Sequence, residues 1–88
     1  MNQTLDVTIV SPYETLFSGL AGSVSSENSE GPFDILAEHA NFITIIENSP
    51  IVIRKPGKDV ITFSFPIAII HVENDRVRIY AQIQFPKL

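Results

Sequence analysis

Close to the C-terminal end, a run from Arg76 to Phe85 alternates without interruption. Val77, Ile79, Ala81, Ile83 and Phe85 hold the apolar positions, and Arg76, Arg78, Tyr80, Gln82 and Gln84 hold the others. Only an extended chain turns successive side chains to opposite faces, so the run predicts a strand with one buried face. A one-residue slip would carry the whole apolar set into water, which pins its register. Such a strand needs neighbours to pair with and a second layer to cover it. The remainder of the chain is built to supply both.

Leu5, Val7 and Ile9 alternate with Asp6, Thr8 and Val10, a half-buried strand stopped at Ser11-Pro12, where proline removes a ladder donor. Tyr13 to Phe17 resumes an extended run, with Gly19 and Gly22 as bends or points of close backbone approach. Val24 to Glu27 is short and serine-rich and predicts an exposed or edge strand. Ile51 to Arg54 is β-branched, and Lys55-Pro56-Gly57-Lys58-Asp59 predicts a hairpin tip. The returning strand places Ile61, Phe63 and Phe65 on one face and Thr62 and Ser64 on the other. After Pro66, the run Ile67 to Val72 is apolar on both faces, as in a buried strand or one whose outer face is covered by a partner. Glu73-Asn74-Asp75-Arg76 reads as a tight turn.

Between these elements lies Ser29 to Ile46. A turn signal, Asn28 to Pro32, leads into Phe33, Ile35 and Leu36; a polar step, Glu38-His39-Ala40-Asn41, then separates them from the apolar run Phe42 to Ile46. Ile43, Thr44, Ile45 and Ile46 are β-branched and disfavour a helix, so the polar step reads as a loop displayed between two strands. Short strands about every ten residues, with turn signals between them, predict an all-β fold: a flattened antiparallel sandwich or barrel of about 8–10 short strands.

Several function classes are disfavoured. With 88 residues the chain makes one domain, 1–88. No cysteine is present, so disulfides and thiolate metal sites are unavailable. A net charge of −4 with scattered Lys and Arg argues against nucleic acid, and the one basic cluster, Arg54 to Lys58, is explained as a solvated turn. The first residues lack a basic, apolar leader pattern, and no apolar run approaches the ~20 residues that span a bilayer, so a soluble cytoplasmic protein is expected. His39 and His71 have no third matched ligand and no zinc spacing. No nucleophile elbow or phosphate-binding glycine loop is found either, so neither catalysis nor a cofactor is expected. Glu27, Glu30, Asp34 and Glu38 gather around the central stretch as solvated charges, or as a negative rim that would steer a basic partner.

Taken in order, Leu5-Asp6-Val7 with Ser11, then Leu16-Phe17-Ser18-Gly19, then Ser29-Glu30-Gly31 with Ile35 and His39-Ala40, resemble the N-terminal β-sandwich domain of the epsilon subunit of F-type ATP synthase. Ile67 to Val72 and Arg76 to Ala81 match that family's last two strands in position. The family's Pro-Gly before the histidine is Ala37-Glu38 here, its following proline is Asn41, its late glycine pair is Ile67-Ala68, and a glycine is replaced by Asp34.

The resemblance implies a non-catalytic rotor component at the foot of the central stalk. Such a subunit docks on the gamma subunit and the c-ring, on the cytoplasmic side of the inner (plasma) membrane, and couples proton or sodium flow to ATP synthesis. It also implies where: Glu38, His39, Ala40, Asn41, Ile69 and His71 toward gamma, and Glu30, Gly31 and Pro32 toward the c-ring. Family members normally continue into a C-terminal helical hairpin that inhibits hydrolysis and in some binds ATP. Since the sequence stops at Leu88, the expectation is a domain with no C-terminal helical hairpin and neither property. The competing reading is a free-standing β-sandwich that binds carbohydrate or peptide. Absence of tryptophan, with only Tyr13 and Tyr80 as tyrosines, leaves little for a sugar to stack on.

Overall fold

The computed structural model describes residues 4–82. Nine strands form among them and no helix: β1 (Leu5–Val10), β2 (Thr15–Ala21), β3 (Ser23–Asn28), β4 (Gly31–Leu36), β5 (Phe42–Glu47), β6 (Pro50–Arg54), β7 (Val60–Ser64), β8 (Ile67–Glu73) and β9 (Arg76–Gln82). A five-stranded sheet has the order β2-β1-β9-β8-β5 and a four-stranded sheet the order β4-β3-β6-β7. The all-β sandwich expected from the alternation is therefore present. Pairing is antiparallel except between β1 and β9, which run parallel in the middle of the larger sheet.

The chain builds the two sheets by turns. Hairpins β1–β2, β3–β4, β6–β7 and β8–β9 each stay within one sheet, and the links after β2, β4, β5 and β7 cross to the other. Gly22 makes the first crossing alone, its N–H donating to the Arg54 carbonyl at 2.7 Å. Asn74 and Asp75 hold φ of 52° and 64°, the paired left-handed conformation whose twist suits a two-residue hairpin. Gly57, with φ of 97°, serves the β6–β7 tip.

Alternation decides the core. Leu5, Val7 and Ile9, then Ala68, Ile70 and Val72, then Val77, Ile79 and Ala81 all turn inward from the larger sheet and are buried. Val24, Ile35, Ile51 and Ile53 meet them from the smaller one. Phenylalanines close the two open sides, where edge strand faces edge strand. Phe17 of β2 meets Phe63 of β7 edge-on at 6.1 Å, and Phe33 of β4 meets Phe42 of β5 at 5.8 Å. No buried side-chain nitrogen or oxygen lacks a partner among the described residues.

Two expectations are corrected. The serine-rich segment from Val24 to Glu27 is not an exposed or edge strand: it lies in β3, which is flanked by β4 and β6. Val24 is fully buried, and Ser26 is tolerated inside because its hydroxyl donates to the Pro50 carbonyl at 2.9 Å. A small hydroxyl can satisfy itself against a neighbouring strand, so serine content says little about exposure. Gly19 also makes no bend; it continues β2 opposite Val7, and only Gly22 breaks the run. Ile83, Phe85 and the last three residues lie outside the described residues.

Candidate protein interface

The central stretch folds as two strands that belong to different sheets. β4 is the edge of the smaller sheet and β5 an edge of the larger, with residues 37–41 crossing between them. The β3–β4 tip, Ser29-Glu30, lies at the other end of β4, six residues or roughly 20 Å away along the strand. Glu30, Gly31 and Pro32 are thus at one end of the sandwich, and Glu38, His39, Ala40 and Asn41 at the opposite end.

Local hydrogen bonds set each end. At the tip, the Asn28 side-chain oxygen accepts from the Glu30 N–H at 2.9 Å, and Gly31 takes φ of 121°, a region open to glycine almost alone. At the crossing, Glu38 holds φ of 67° and donates its N–H to the Asp75 carboxylate at 2.6 Å. The Asn41 side chain accepts from the Asn74 N–H at 3.0 Å. The loop is therefore latched to the β8–β9 turn by two bonds between segments more than thirty residues apart. His39 packs its ring 5.0 Å from Phe42 and places Nδ1 2.7 Å from the Ala40 carbonyl. That imidazole is spent on fixing the loop, while Glu38, Ala40 and Asn41 are exposed.

The third component is the outer face of the larger sheet. Since β8 runs between β5 and β9, Ile69 sits opposite Ile45 on one side and Tyr80 on the other; Tyr80 in turn sits opposite Val10. His71 lies in the next row, between Ile43 and Arg78. Ile43, Ile45, Ile69 and Tyr80 are 67%, 54%, 38% and 48% exposed, so four large apolar side chains share one uncovered surface. Asp6, Arg76 and Glu73 are aligned across β1, β9 and β8 at the end that carries the latched loop, with Arg78 beside His71 in the row between. Isolated exposed hydrophobics are ordinary; a contiguous group with a charged border marks a surface made to be covered.

Ile69 and His71, both candidate interface residues from the sequence, lie on this outer face of β8. Ile43, Ile45 and Tyr80 were not singled out. Tyr80 fell on the polar side of the strongest alternation, and Ile43 and Ile45 passed as ordinary members of an apolar run. The available signal was two-sidedness: Phe42 to Ile46, like Ile67 to Val72, has more apolar positions than one buried face can use. Among the described residues, no three His, Asp or Glu side chains converge as metal ligands would. Nor is any helix there long and apolar enough to cross a membrane.

Fold and face define a class: a small two-sheet β-sandwich carrying an apolar, charge-bordered outer surface. The chain belongs to the ATP synthase delta/epsilon chain β-sandwich domain family, whose model matches residues 4–86. It is similar to the ATP synthase epsilon chain of Sulfurimonas denitrificans, 33% identical over 73 residues, covering 83% of this chain and 56% of that protein. It is also similar to the epsilon chain of Hyphomonas neptunium, 37% identical over 65 residues, covering 74% and 47%. The chain spans about half the length of these relatives. A chain in the Euglena gracilis mitochondrial ATP synthase assembly of OSCP, F1 and c-ring shares the fold with a TM-score of 0.85 at 14% identity, covering 92% of this chain and 52% of that one. One in the Tetrahymena thermophila mitochondrial ATP synthase central stalk and c-ring does so at 0.76 and 16% identity, covering 96% and 67%.

Proposed function

We propose that the chain is a non-catalytic rotor subunit of an F-type ATP synthase. In this reading it joins the gamma subunit to the c-ring at the foot of the central stalk and so helps couple proton or sodium flow to ATP synthesis. It works peripherally on the cytoplasmic side of the inner (plasma) membrane and needs no cofactor. The observation that carries the reading is the uncovered face of Ile43, Ile45, Ile69 and Tyr80, in a fold whose structural relatives come from central-stalk and c-ring assemblies.

In this reading the two partners take different places. Gamma takes the apolar face, because burying large side chains supplies affinity that a polar turn cannot. His71 and the exposed Glu38, Ala40 and Asn41 border the gamma contact at the latched end. Glu30, Gly31 and Pro32, at the opposite end, meet the polar loops of the ring. A rotor element must transmit torque without deforming, and two stacked sheets closed by phenylalanines on both sides suit that demand.

The test is binding of the purified chain to gamma and to F1 from the same organism, for the native chain and for Ile69→Asp and Tyr80→Glu. Both positions point outward, so the variants should keep the native spectrum while losing gamma binding by about a hundredfold or more, as for central interface residues. Unchanged binding in both variants, or no gamma binding by the native chain at micromolar concentration, refutes the proposal.

A further inference from the structure

The four sheet edges are not equally protected. β2 breaks register between Ile9 and Val10. β4 carries Gly31, Pro32 and Asp34. β7 has only five residues, with Lys58 and Asp59 before it and Pro66 after it. These are the usual devices against strand addition. β5, Phe-Ile-Thr-Ile-Ile-Glu, is the least protected: its one charge, Glu47, is its last residue, it has no glycine, proline or lysine, and its register with β8 is unbroken from Phe42 to Glu47.

Register also shows which main-chain groups that edge offers. The Asn48 N–H donates to the Pro66 carbonyl at 3.2 Å, which makes Asn48 and Pro66 a hydrogen-bonded pair in the same frame as β5 and β8. Bonded and non-bonded pairs alternate along an antiparallel ladder. Phe42, Thr44 and Ile46 therefore bond β8, while Ile43, Ile45 and Glu47 turn their N–H and C=O groups to the open side. The Glu47 carbonyl accepts weakly from the Ser49 hydroxyl at 3.4 Å, leaving the Ile43 and Ile45 groups and the Glu47 N–H on offer. A groove of about 840 Å³ runs along this edge, bounded by Ile43, Ile45, Glu47 and Ile69 on one side and by Glu27 and Ser29 on the other.

We propose that the β5 edge is a strand-accepting site for an extended segment in which apolar and basic residues alternate. Main-chain groups of Ile43, Ile45 and Glu47 would supply the pairing, as in other cases of strand addition. Apolar side chains of the added strand would extend the row of Ile43 and Ile45. The charge follows from the lining: Glu27 and Glu47 are present and no Lys or Arg is, so lysine or arginine is welcomed and an acidic strand repelled. The same charge argues against a second copy, whose own β5 would bring another Glu47 to the site. This site goes beyond the rotor reading: its pairing groups are main-chain groups at the sheet edge, while Ile43, Ile45 and Ile69 are shared with the face proposed for gamma.

The experiment titrates the 88-residue chain with a synthetic peptide of about eight residues alternating valine and lysine, with a valine–glutamate peptide as control. Amide hydrogen exchange by NMR should show the N–H groups of Ile43, Ile45 and Glu47 slowed about tenfold or more, with Thr44 and Ile46 unchanged. This odd-residue pattern needs no variant. Ile45→Pro removes an N–H that β8 does not use, so it should keep the β5–β8 ladder and abolish the effect. Glu27→Lys with Glu47→Lys should reverse the preference between the peptides. The proposal is overturned if the lysine peptide protects none of the three amides at roughly 1 mM, if both peptides act alike, or if folded Ile45→Pro still responds. A self-paired dimer of the native chain, dissolved by Ile45→Pro, would also overturn it, by making a second copy the occupant.

Discussion

Glu38 is the position where a small change should reveal how the loop between the sheets is held. It occupies φ of 67°, where the side chain of an L-residue crowds its own backbone at a cost of about 1–2 kcal/mol. Its N–H, not its side chain, makes the bond to Asp75. Glu38→Gly therefore keeps the latch, removes the strain, and loses about 0.5–1 kcal/mol to the greater freedom of glycine in the unfolded chain. The difference spans about 0–1.5 kcal/mol, with a central net stabilisation of about 0.75 kcal/mol. For a domain this size that raises Tm by roughly 3–6 °C. Urea denaturation at equilibrium with a matching thermal scan measures it. Two companions separate causes. Glu38→Ala keeps the strain and removes the side chain, and Glu38→Gln removes only the charge beside Asp75; both should stay within about 0.5 kcal/mol of the native chain. Destabilisation by Glu38→Gly, or an equal gain from Glu38→Ala, would show that backbone strain is not what Glu38 contributes.

Two other substitutions probe the latch and the core. Asp75→Gly keeps the positive φ that the turn requires but deletes the acceptor of the Glu38 N–H, and should cost about 1 kcal/mol; amide exchange at Glu38 should quicken, while Asp75→Asn, which retains an acceptor, should change little. Ile70→Ala empties a fully buried site in the middle of β8 and should cost about 2–5 kcal/mol by denaturant titration, leaving the outer face intact.

The strands were legible because a half-buried strand writes its burial as alternation. Arg76 to Gln82 and Leu5 to Val10 could be assigned inside and outside residue by residue. The hairpins at residues 55–59 and 74–75 were legible from turn chemistry. β3 was not, because a buried serine satisfied by the Pro50 carbonyl looks the same as an exposed one in a linear string. The polar step between two apolar runs located Glu38-His39-Ala40-Asn41, and the resemblance added that Glu38 stands where the family has glycine. The backbone keeps a left-handed conformation there all the same.

By itself, the sequence determined the fold class and which face of most strands turns inward, since both follow from a period of two and from residues that cannot continue a strand. Tertiary structure alone decided which strands are neighbours. No local signal says that β1 lies parallel to β9, or that β5 is the least protected edge beside β8. Those pairings carry Val10, Tyr80, Ile69 and Ile45 into one row and separate the two ends of the Ser29–Ile46 stretch. A docking surface on a sheet is made across strands, by residues distant in sequence and adjacent at 4.7–4.9 Å strand spacing, so it becomes visible only once the sheet order is known.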